Sequence, residues 1–244
     1  MSPSRVVSLV PSLTESIAAT APGLLVGATD WCTHPADLDV VRIGGTKNPR
    51  VDDIVALQPD LVVANEEENR APDIAALRDR GLNLVVTSPV TVAEALDQLD
   101  DLLTVACGLD RPDWLVQARA AWHSTVPGPT MSAVIPIWRR PWMVLGRDTF
   151  AGDLLARLDI ENVFAHHDER YPTVSLDEIR RHEPDIVLLP DEPYRFGPSD
   201  GPEAFADWGI PIACISGRHL TWYGPSLVEA RAVIIDGIAA AATV

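Results

Sequence analysis

The sequence contains little positive charge and little cysteine. Lys47 is its one lysine, and 19 Lys and Arg residues stand against 35 Asp and Glu residues, which gives a formal net charge of −16. Without a basic patch, nucleic acid and anionic membranes are disfavoured as partners. Cys32, Cys107 and Cys214 are few and widely spaced, so we expect free thiols and no disulfide framework.

Long hydrophobic runs are also missing. No stretch reaches the roughly 18 apolar residues of a membrane span. The apolar run after Arg5 stops at Pro11, which is too short for the core of a secretory signal peptide. We therefore predict a cytoplasmic protein from the sequence as written, and an extracytoplasmic one if the natural start lies upstream.

The common catalytic and metal-binding motifs are absent. There is no Gly-x-Ser-x-Gly, no P-loop and no Gly-x-Gly-x-x-Gly, so no enzyme class is indicated. Cys32, His34, His166, His167 and His219 are scattered and lack the spacing of a metal site. We predict no dedicated metal site, and leave open that one histidine ligates the metal of a corrinoid or haem.

What the sequence does contain is an internal repeat. Residues 54–70 (IVALQPDLVVANEEENR) and 179–195 (IRRHEPDIVLLPDEPYR) align without a gap. Each reads as a helix end, Pro-Asp, a buried strand, an acidic pair and an arginine. Chance recurrence of a common helix-to-strand connection is the alternative. A repeat near half the chain length favours two similar lobes with a ligand-binding cleft between them.

Alternating strands and helices indicate an α/β fold of two similar lobes, each a small, mostly parallel sheet flanked by helices. The predicted strands are 5–9, 24–27, 60–64, 82–87, 132–137, 185–189 and 212–215. The predicted helices are 12–20, 52–57, 72–80, 91–106, 112–125, 151–158, 176–182, 202–208 and 225–242. Ser12–Glu15 and Ser175–Glu178 have the spacing of capping boxes.

We predict three parts in the chain. Residues 1–108 form the first lobe, 109–128 a single long connecting helix, and 129–244 the second lobe, which is entered at the Pro-Gly-Pro of residues 127–129. The connecting helix is inferred because residues 112–125 carry Leu115, Ala118 and Trp122 on one face.

Aromatic and basic residues follow several predicted strands, and ligands of open α/β sheets bind beyond the carboxyl ends of strands. The predicted aromatic walls of a ligand site are Trp31, Trp138, Trp142, Trp222 and Tyr223. Arg139, Arg140 and Arg147 would meet ligand carboxylates or phosphates, and His34 and His219 complete the candidate site. Such a set suits a large, flat, partly anionic ligand through stacking and cation–π contacts; alternatively, each Trp fills the core of its own lobe.

The segments RVVSLVPSLTESI (5–17), VGATDWCTHP (26–35), RIGGTKNP (42–49) and IVALQPDLVVA (54–64) carry a resemblance that extends over essentially the whole chain. The chain resembles the helical-backbone metal-receptor superfamily in its cobalamin-binding branch, the substrate-binding proteins of ABC importers for corrinoids, haem and ferric siderophores. The resemblance implies two α/β lobes joined by a long helix, with the ligand between them. It also implies permease contacts through lobe-tip carboxylates, by position Glu67 or Glu68 and Glu192.

From these observations we predict a monomeric, non-enzymatic binding protein. Its ligand would be bulky, planar and metal-containing, either cobalamin-like, a haem or a ferric siderophore, and not covalently bound. An ABC transporter permease is the implied partner, although members of this superfamily that work outside the cytoplasmic membrane carry a secretion signal that this sequence does not show. The alternatives are a cytosolic enzyme that uses the same cleft and a ligand-sensing docking module.

Overall fold

The computed structural model describes residues 2–124 and 131–241. Its contacts divide into two compact units, and each is described by itself. The first unit comprises the described residues of Met1–Pro89, Ala93–Ala118 and Tyr223–Pro225, and the second those of Val90–Val92, Arg119–Trp222 and Ser226–Val244. Two α/β units are what the repeat predicts, whereas the boundaries at 108 and 128 stay predictions.

The first unit is built on a five-stranded parallel sheet with the strand order β3-β2-β1-β6-β7. Its strands are β1 Val6–Ser8, β2 Leu25–Ala28, β3 Val41–Arg42, β6 Leu61–Asn65 and β7 Leu84–Thr87; a small hairpin, β4 Gly44–Gly45 and β5 Asn48–Pro49, lies beyond β3. The central strands β1 and β6 are buried along their whole length. This burial explains their unbroken runs of apolar residues.

The first four helices begin and end within one residue of the predicted positions, and the fifth, predicted to end at 125, ends at Ala121. They are α1 Pro11–Thr20, α2 Val51–Ala56, α3 Ala71–Asp79, α4 Val92–Asp100, which continues as a π-helical turn over Asp101–Ala106, and α5 Asp113–Ala121. The capping box predicted at Ser12 is wrong. Pro11 occupies the first turn, Val10 is the N-cap, and no side chain caps the helix, because the fixed φ of proline already suits the first helical position.

The second unit has a four-stranded parallel sheet with the strand order β11-β8-β12-β13. Its strands are β8 Met131–Val134, β11 Ile160–Asn162, β12 Ile186–Pro190 and β13 Ile212–Ile215; β9 Pro136–Trp138 and β10 Met143–Val144 pair separately as an antiparallel ribbon. The helices are α6 Phe150–Ala156, α7 Leu176–Arg181, α8 Gly217–Thr221 and α9 Leu227–Ala241. Here the predicted Ser175 cap is confirmed, since the Ser175 hydroxyl accepts from the Glu178 amide at 3.1 Å.

The helix predicted at 202–208 is wrong. The chain forms two short 3₁₀ turns there, Pro202–Ala204 and Ala206–Trp208. Phe205 joins the two turns and is fully buried, with its ring centroid 5.3 Å from that of Trp142 and 5.0 Å from that of Trp208. Between the two turns the backbone places Phe205 in this aromatic cluster, and the segment does not form a continuous helix. Strand β11 and helix α8 were not predicted.

The sequence repeat corresponds to a repeat of the sheets. Strands β2-β1-β6-β7 of the first unit and β11-β8-β12-β13 of the second have the same order, and the repeated segment supplies β6 and β12. The Pro-Asp step acts alike in both: Asp60 accepts from the Ser4 amide at 2.7 Å, and Asp185 from the Ser132 amide at 2.7 Å. The repeat is therefore structural, and chance recurrence is not needed to explain it.

The predicted connecting helix is described only in part. Helix α5 ends at Ala121 and residues 122–124 are not helical, while the Pro-Gly-Pro entry at 127–129 lies outside the described residues. Trp122 leaves the helix and donates its indole N–H to the Leu227 carbonyl at 2.8 Å. One long helix joining the lobes stays a prediction. Within residues 2–124 and 131–241, no helix is long and apolar enough to cross a membrane.

Candidate ligand-binding and docking residues

Trp31 is an exposed indole of the first unit, with 67% of its surface accessible. The next residue, Cys32, anchors the loop that carries it, because its side chain is fully buried and its sulfur receives a hydrogen bond from Thr14 at 3.0 Å. Burial raises the pKa of this thiol, so it stays protonated. His34 is exposed and contacts the Thr33 hydroxyl through Nδ1 at 3.2 Å. The exposed Trp31 indole is therefore followed directly by a buried, hydrogen-bonded residue.

Trp138 is the corresponding exposed indole of the second unit, at the end of β9, with 44% of its surface accessible. Its ring meets the Tyr194 ring edge-on, with the centroids 5.5 Å apart. The Tyr194 hydroxyl in turn donates to Asp200 at 2.6 Å. This bond fixes the phenol that contacts the indole, and nearly half of the surface of Trp138 remains accessible.

Trp142 belongs to the core cluster of the second unit more than to its surface. It stacks on Phe196 with an interplanar angle of 2° and a centroid distance of 5.9 Å. It is half-buried and packs against the apolar cluster that includes Phe205. Its contact with a ligand stays a prediction, and its ring already packs against Phe196 and Phe205.

The three candidate arginines differ in what they already contact. Arg139 is 13% exposed at its side chain, pairs with Asp200 and Glu203, and lies over Trp142 at 5.3 Å. Arg147 is about half exposed and lies 3.4 Å from Asp148. Arg140 is exposed, with a left-handed backbone at φ 70°. Arg139 is therefore committed to two carboxylates of its own unit, whereas Arg140 and Arg147 reach solvent.

His219 is enclosed by polar groups of its own unit. Its Nδ1 lies 2.7 Å from the Ser216 hydroxyl and its Nε2 lies 3.0 Å from a Glu229 carboxylate oxygen. The hydrogen bond from His219 holds the pKa of Glu229 below its usual range. With both ring nitrogens engaged, His219 is poorly placed to coordinate a metal centre.

Trp222 and Tyr223, which were predicted as ligand walls, are 7% and 6% exposed. The Trp222 indole N–H donates to the Glu192 carboxylate at 2.8 Å. The Tyr223 hydroxyl accepts from the Asn65 amide at 2.7 Å and lies 2.8 Å from the Thr87 hydroxyl. Both polar groups therefore have partners inside the protein.

The repeated segment places two acidic loops after β6 and β12. We call residues 66–68 the first acidic loop and residues 191–192 the second. Glu66 and Glu68 are exposed and Glu67 is half-buried, whereas in the second loop Asp191 is exposed and Glu192 half-buried. Burial raises the pKa of Glu192. The predicted docking carboxylates are therefore more open in the first loop.

Two surface pockets have linings that include none of the predicted site residues. One, of about 530 Å³, lies between β7 and the π-helical turn beside Leu102 and Val105; the other, of about 340 Å³, is lined by Phe164, His167 and His182 among others. Over residues 2–124 and 131–241, no group of three or more His, Cys, Asp and Glu side chains is arranged to hold a metal ion.

Sequence reasoning missed Tyr194, Asp200, Glu203 and Asn65, which support the candidate residues. Tyr194 lies inside the repeated segment, next to the arginine that the two copies share, and this was a usable signal. Asp200 and Glu203 were not recognisable as partners of Arg139, because Asp200 lies 61 positions further along the sequence and no local pattern relates such distant residues.

The sequence profile of the periplasmic binding proteins matches residues 6–205, well over half of the chain. This chain belongs to the periplasmic binding protein family. A curated relative, the vitamin B12-binding protein of Salmonella typhimurium, is 26% identical over 195 residues, covering 76% of this chain and 71% of the relative. Family membership supports the prediction of a non-enzymatic binding protein and disfavours the enzyme alternative.

Solved structures show the same fold. The periplasmic vitamin B12 binding protein of Vibrio cholerae superposes with a TM-score of 0.75 at 20% identity, covering 99% of each chain. The periplasmic heme-binding protein of Roseiflexus sp. RS-1 in its apo form gives 0.72 at 20% identity, covering 96% of this chain and 98% of that one. The predicted α/β fold of two similar lobes is thereby confirmed.

Proposed function

We propose that this protein binds a bulky, planar, metal-containing ligand, either a corrinoid, a haem or a ferric siderophore, and hands it to an ABC importer. The observation that carries the proposal is the pair of exposed indoles, Trp31 and Trp138, one in each unit. An exposed indole offers a flat apolar face on which a ring system can stack. Relatives named for vitamin B12 and heme support a flat macrocycle as the ligand class.

The polar groups near these indoles suit a ligand with carboxylate or phosphate substituents. Arg140 and Arg147 are exposed cations, and Arg140 follows Trp138 by two positions. Arg139 contributes indirectly, since its ion pairs with Asp200 and Glu203 hold the segment after β9. His34 is the histidine best exposed among the two in the predicted site, so it is our candidate for contact with the ligand metal.

The family description favours the extracytoplasmic alternative for the place where this protein works. The acidic loops then become candidate contacts for basic residues of a permease, because complementary charge guides and orients such encounters. Glu67 and Glu68 in the first loop and Glu192 in the second are the proposed contacts. A monomer stays our prediction for the oligomeric state.

The ligand proposal is tested by calorimetric titration of the purified protein with cyanocobalamin, haemin and a ferric hydroxamate chelate. We expect one of them to bind at micromolar concentration or tighter. Trp31→Ala and Trp138→Ala should each weaken that binding about tenfold, the loss expected of one aromatic contact. Trp114→Phe is the matched control, because Trp114 donates its indole N–H to Thr20 at 3.1 Å, away from the candidate residues. No heat with any of the three probes contradicts the proposal.

The docking proposal requires a separate readout. In cells that depend on this protein for uptake of the identified ligand, Glu68→Lys should reduce uptake while calorimetric affinity stays unchanged. Glu94→Lys, which alters an exposed carboxylate on α4, is the control for a change of net charge. Equal uptake in both variants would exclude the first acidic loop as a permease contact.

A further inference from the structure

Two backbone amides of the first acidic loop are held by one side chain, Asn65. Its Oδ1 accepts from the Glu67 amide at 2.8 Å and from the Glu68 amide at 3.1 Å. Asn65 is buried, and its Nδ2 points the other way, towards the Tyr223 hydroxyl at 2.7 Å. The orientation of the amide therefore decides whether the loop amides are satisfied, and Tyr223 helps to set that orientation.

Tyr223 is well suited to this task. Its hydroxyl lies between Asn65 and Thr87, and Thr87 ends the neighbouring strand β7 and accepts the Glu66 amide through its carbonyl at 2.9 Å. Burial is the largest cause that raises the pKa of Tyr223, so the phenol stays protonated at physiological pH. Gly224, the next residue, packs so closely on α1 that an added Cβ would lie 2.7 Å from the Ser16 hydroxyl.

The second acidic loop is held differently, through its carboxylates. Asp191 accepts from the Gly217 amide at 2.6 Å, and Glu192 accepts from the Trp222 indole at 2.8 Å. The backbone of Glu192 also rests on Gly217, where a Cβ would come within 2.6 Å of the Glu192 nitrogen. Trp222 is thus the side-chain donor that fixes the direction of the Glu192 carboxylate.

Two consecutive residues therefore contact both loops, each within its own unit. We propose that Trp222 and Tyr223 are positioning residues for the acidic loops, with Tyr223 fixing the first through Asn65 and Trp222 fixing the Glu192 carboxylate of the second. The inference rests on the docking role proposed above for these loops. It replaces the prediction that these two aromatic side chains are walls of the ligand site.

Amide hydrogen exchange of the full chain tests the inference without a ligand or a transporter. Tyr223→Phe removes only the hydroxyl, and should speed exchange of the Glu67 and Glu68 amides about fivefold, as expected for one lost hydrogen bond, without changing the second loop. Trp222→Phe should speed exchange around Glu192 and leave the first loop unchanged. Each variant is the control for the other, and Trp114→Phe controls for the loss of an indole donor elsewhere.

A second readout separates positioning from simple packing. The Trp222 indole favours the ionised form of Glu192, opposing burial and the neighbouring Asp191 carboxylate, while Arg218 acts with the indole. Trp222→Phe should therefore raise the pKa of Glu192, as measured by carbon-13 titration of the carboxyl group with Glu192→Gln used for assignment. Tyr223→Phe should leave that pKa unchanged.

The inference is overturned if both variants loosen both loops equally, or if the Glu192 titration does not move in Trp222→Phe. It is also overturned if Trp222→Phe leaves loop exchange unchanged and weakens binding of cyanocobalamin or haemin, because that result would restore Trp222 as a ligand wall. A wild-type protein that binds none of the probes contradicts the proposed ligand, yet the exchange and titration results still decide the positioning roles.

Discussion

The two acidic loops are copies of one sequence segment, but they are stabilised by opposite means. In the first loop, an amide side chain of the strand end accepts from the loop backbone, and the Glu66 and Glu68 side chains point to solvent. In the second, Pro190 stands where the first copy has Asn65, so the loop's own carboxylates accept from Gly217 and Trp222. Repetition preserved the position of the loops, and the side chains that support them diverged.

What the copies share is confined to the backbone and its immediate partners. The Glu66 amide donates to the carbonyl of Thr87 at 2.9 Å, and the equivalent Asp191 amide donates to the carbonyl of Ile215 at 3.2 Å. Both bonds tie the loop to the end of the adjacent strand of its own sheet. The comparison teaches that a gap-free repeat specifies the path of the chain, while the exposure of each carboxylate depends on local partners.

The largest effect on stability is expected at Asn65, which supports the first loop and has no counterpart in the second. Asn65→Ala should lower the free energy of unfolding by about 3 kcal/mol, because two loop amides and Tyr223 lose their buried partner. The measurement is urea denaturation followed by circular dichroism. Asn83→Ala, at an exposed position before β7, should change stability by less than about 0.5 kcal/mol. Equal effects of the two substitutions would refute the role of Asn65.

In the second loop the largest effect should come from Gly217. Gly217→Ala introduces a Cβ within 2.9 Å of three Glu192 atoms, two of them backbone. It should lower the free energy of unfolding, measured by urea denaturation, by about 2 kcal/mol, because the contact has no room for an added methyl group. Gly197→Ala is the control, since nothing lies within 4 Å of its added Cβ. If Gly217→Ala and the wild type have the same urea midpoint of unfolding, α8 does not approach the second loop as closely as described.

The smallest expected effects concern the pH dependence of stability. It should have opposite signs for Asp185, whose hydrogen bond to the backbone is repeated at Asp60, and for Glu192 of the second acidic loop. Hydrogen bonds from Ser132 lower the pKa of Asp185, so its stabilising contribution is present above the unfolded pKa of about 3.9 and is lost as the pH falls through the folded value. Glu192 has a raised pKa because of burial, so its contribution is present below the unfolded pKa of about 4.3 and is lost as the pH rises through the folded value.

Unfolding free energies of the wild type, Asp185→Asn and Glu192→Gln, measured from pH 3 to pH 8, check this contrast. The advantage of the wild type over Asp185→Asn should shrink towards acid pH, and its advantage over Glu192→Gln should shrink towards neutral pH. Asp60→Asn should behave as Asp185→Asn does, because hydrogen bonds from Ser4 lower the pKa of Asp60 in the same way. Parallel curves for Asp185→Asn and Glu192→Gln would contradict the assignment.

Much of the fold could be predicted because its signals are local. Runs of buried apolar residues marked β6 and β12, Gly81 with its positive φ ended α3, and the Ser175 cap began α7. The candidate site could be predicted only in part. Trp31 and Trp138 are exposed as a ligand contact requires, but Tyr223 is buried and hydrogen-bonded to Asn65, which lies 158 positions away. A hydrogen bond between residues so far apart cannot be predicted from a local sequence pattern.

The single lysine has a practical consequence. Lys47 donates through its ammonium group to the backbone carbonyl of Glu67 in the first acidic loop. Amine-directed coupling to a sensor chip or a dye would therefore modify the one side-chain amine of the chain and alter a surface proposed to meet the permease. Thiol chemistry avoids this difficulty, since Cys32 and Cys107 are buried and Cys214 on β13 is exposed. Immobilisation through Cys214 would leave the first loop untouched for interaction measurements.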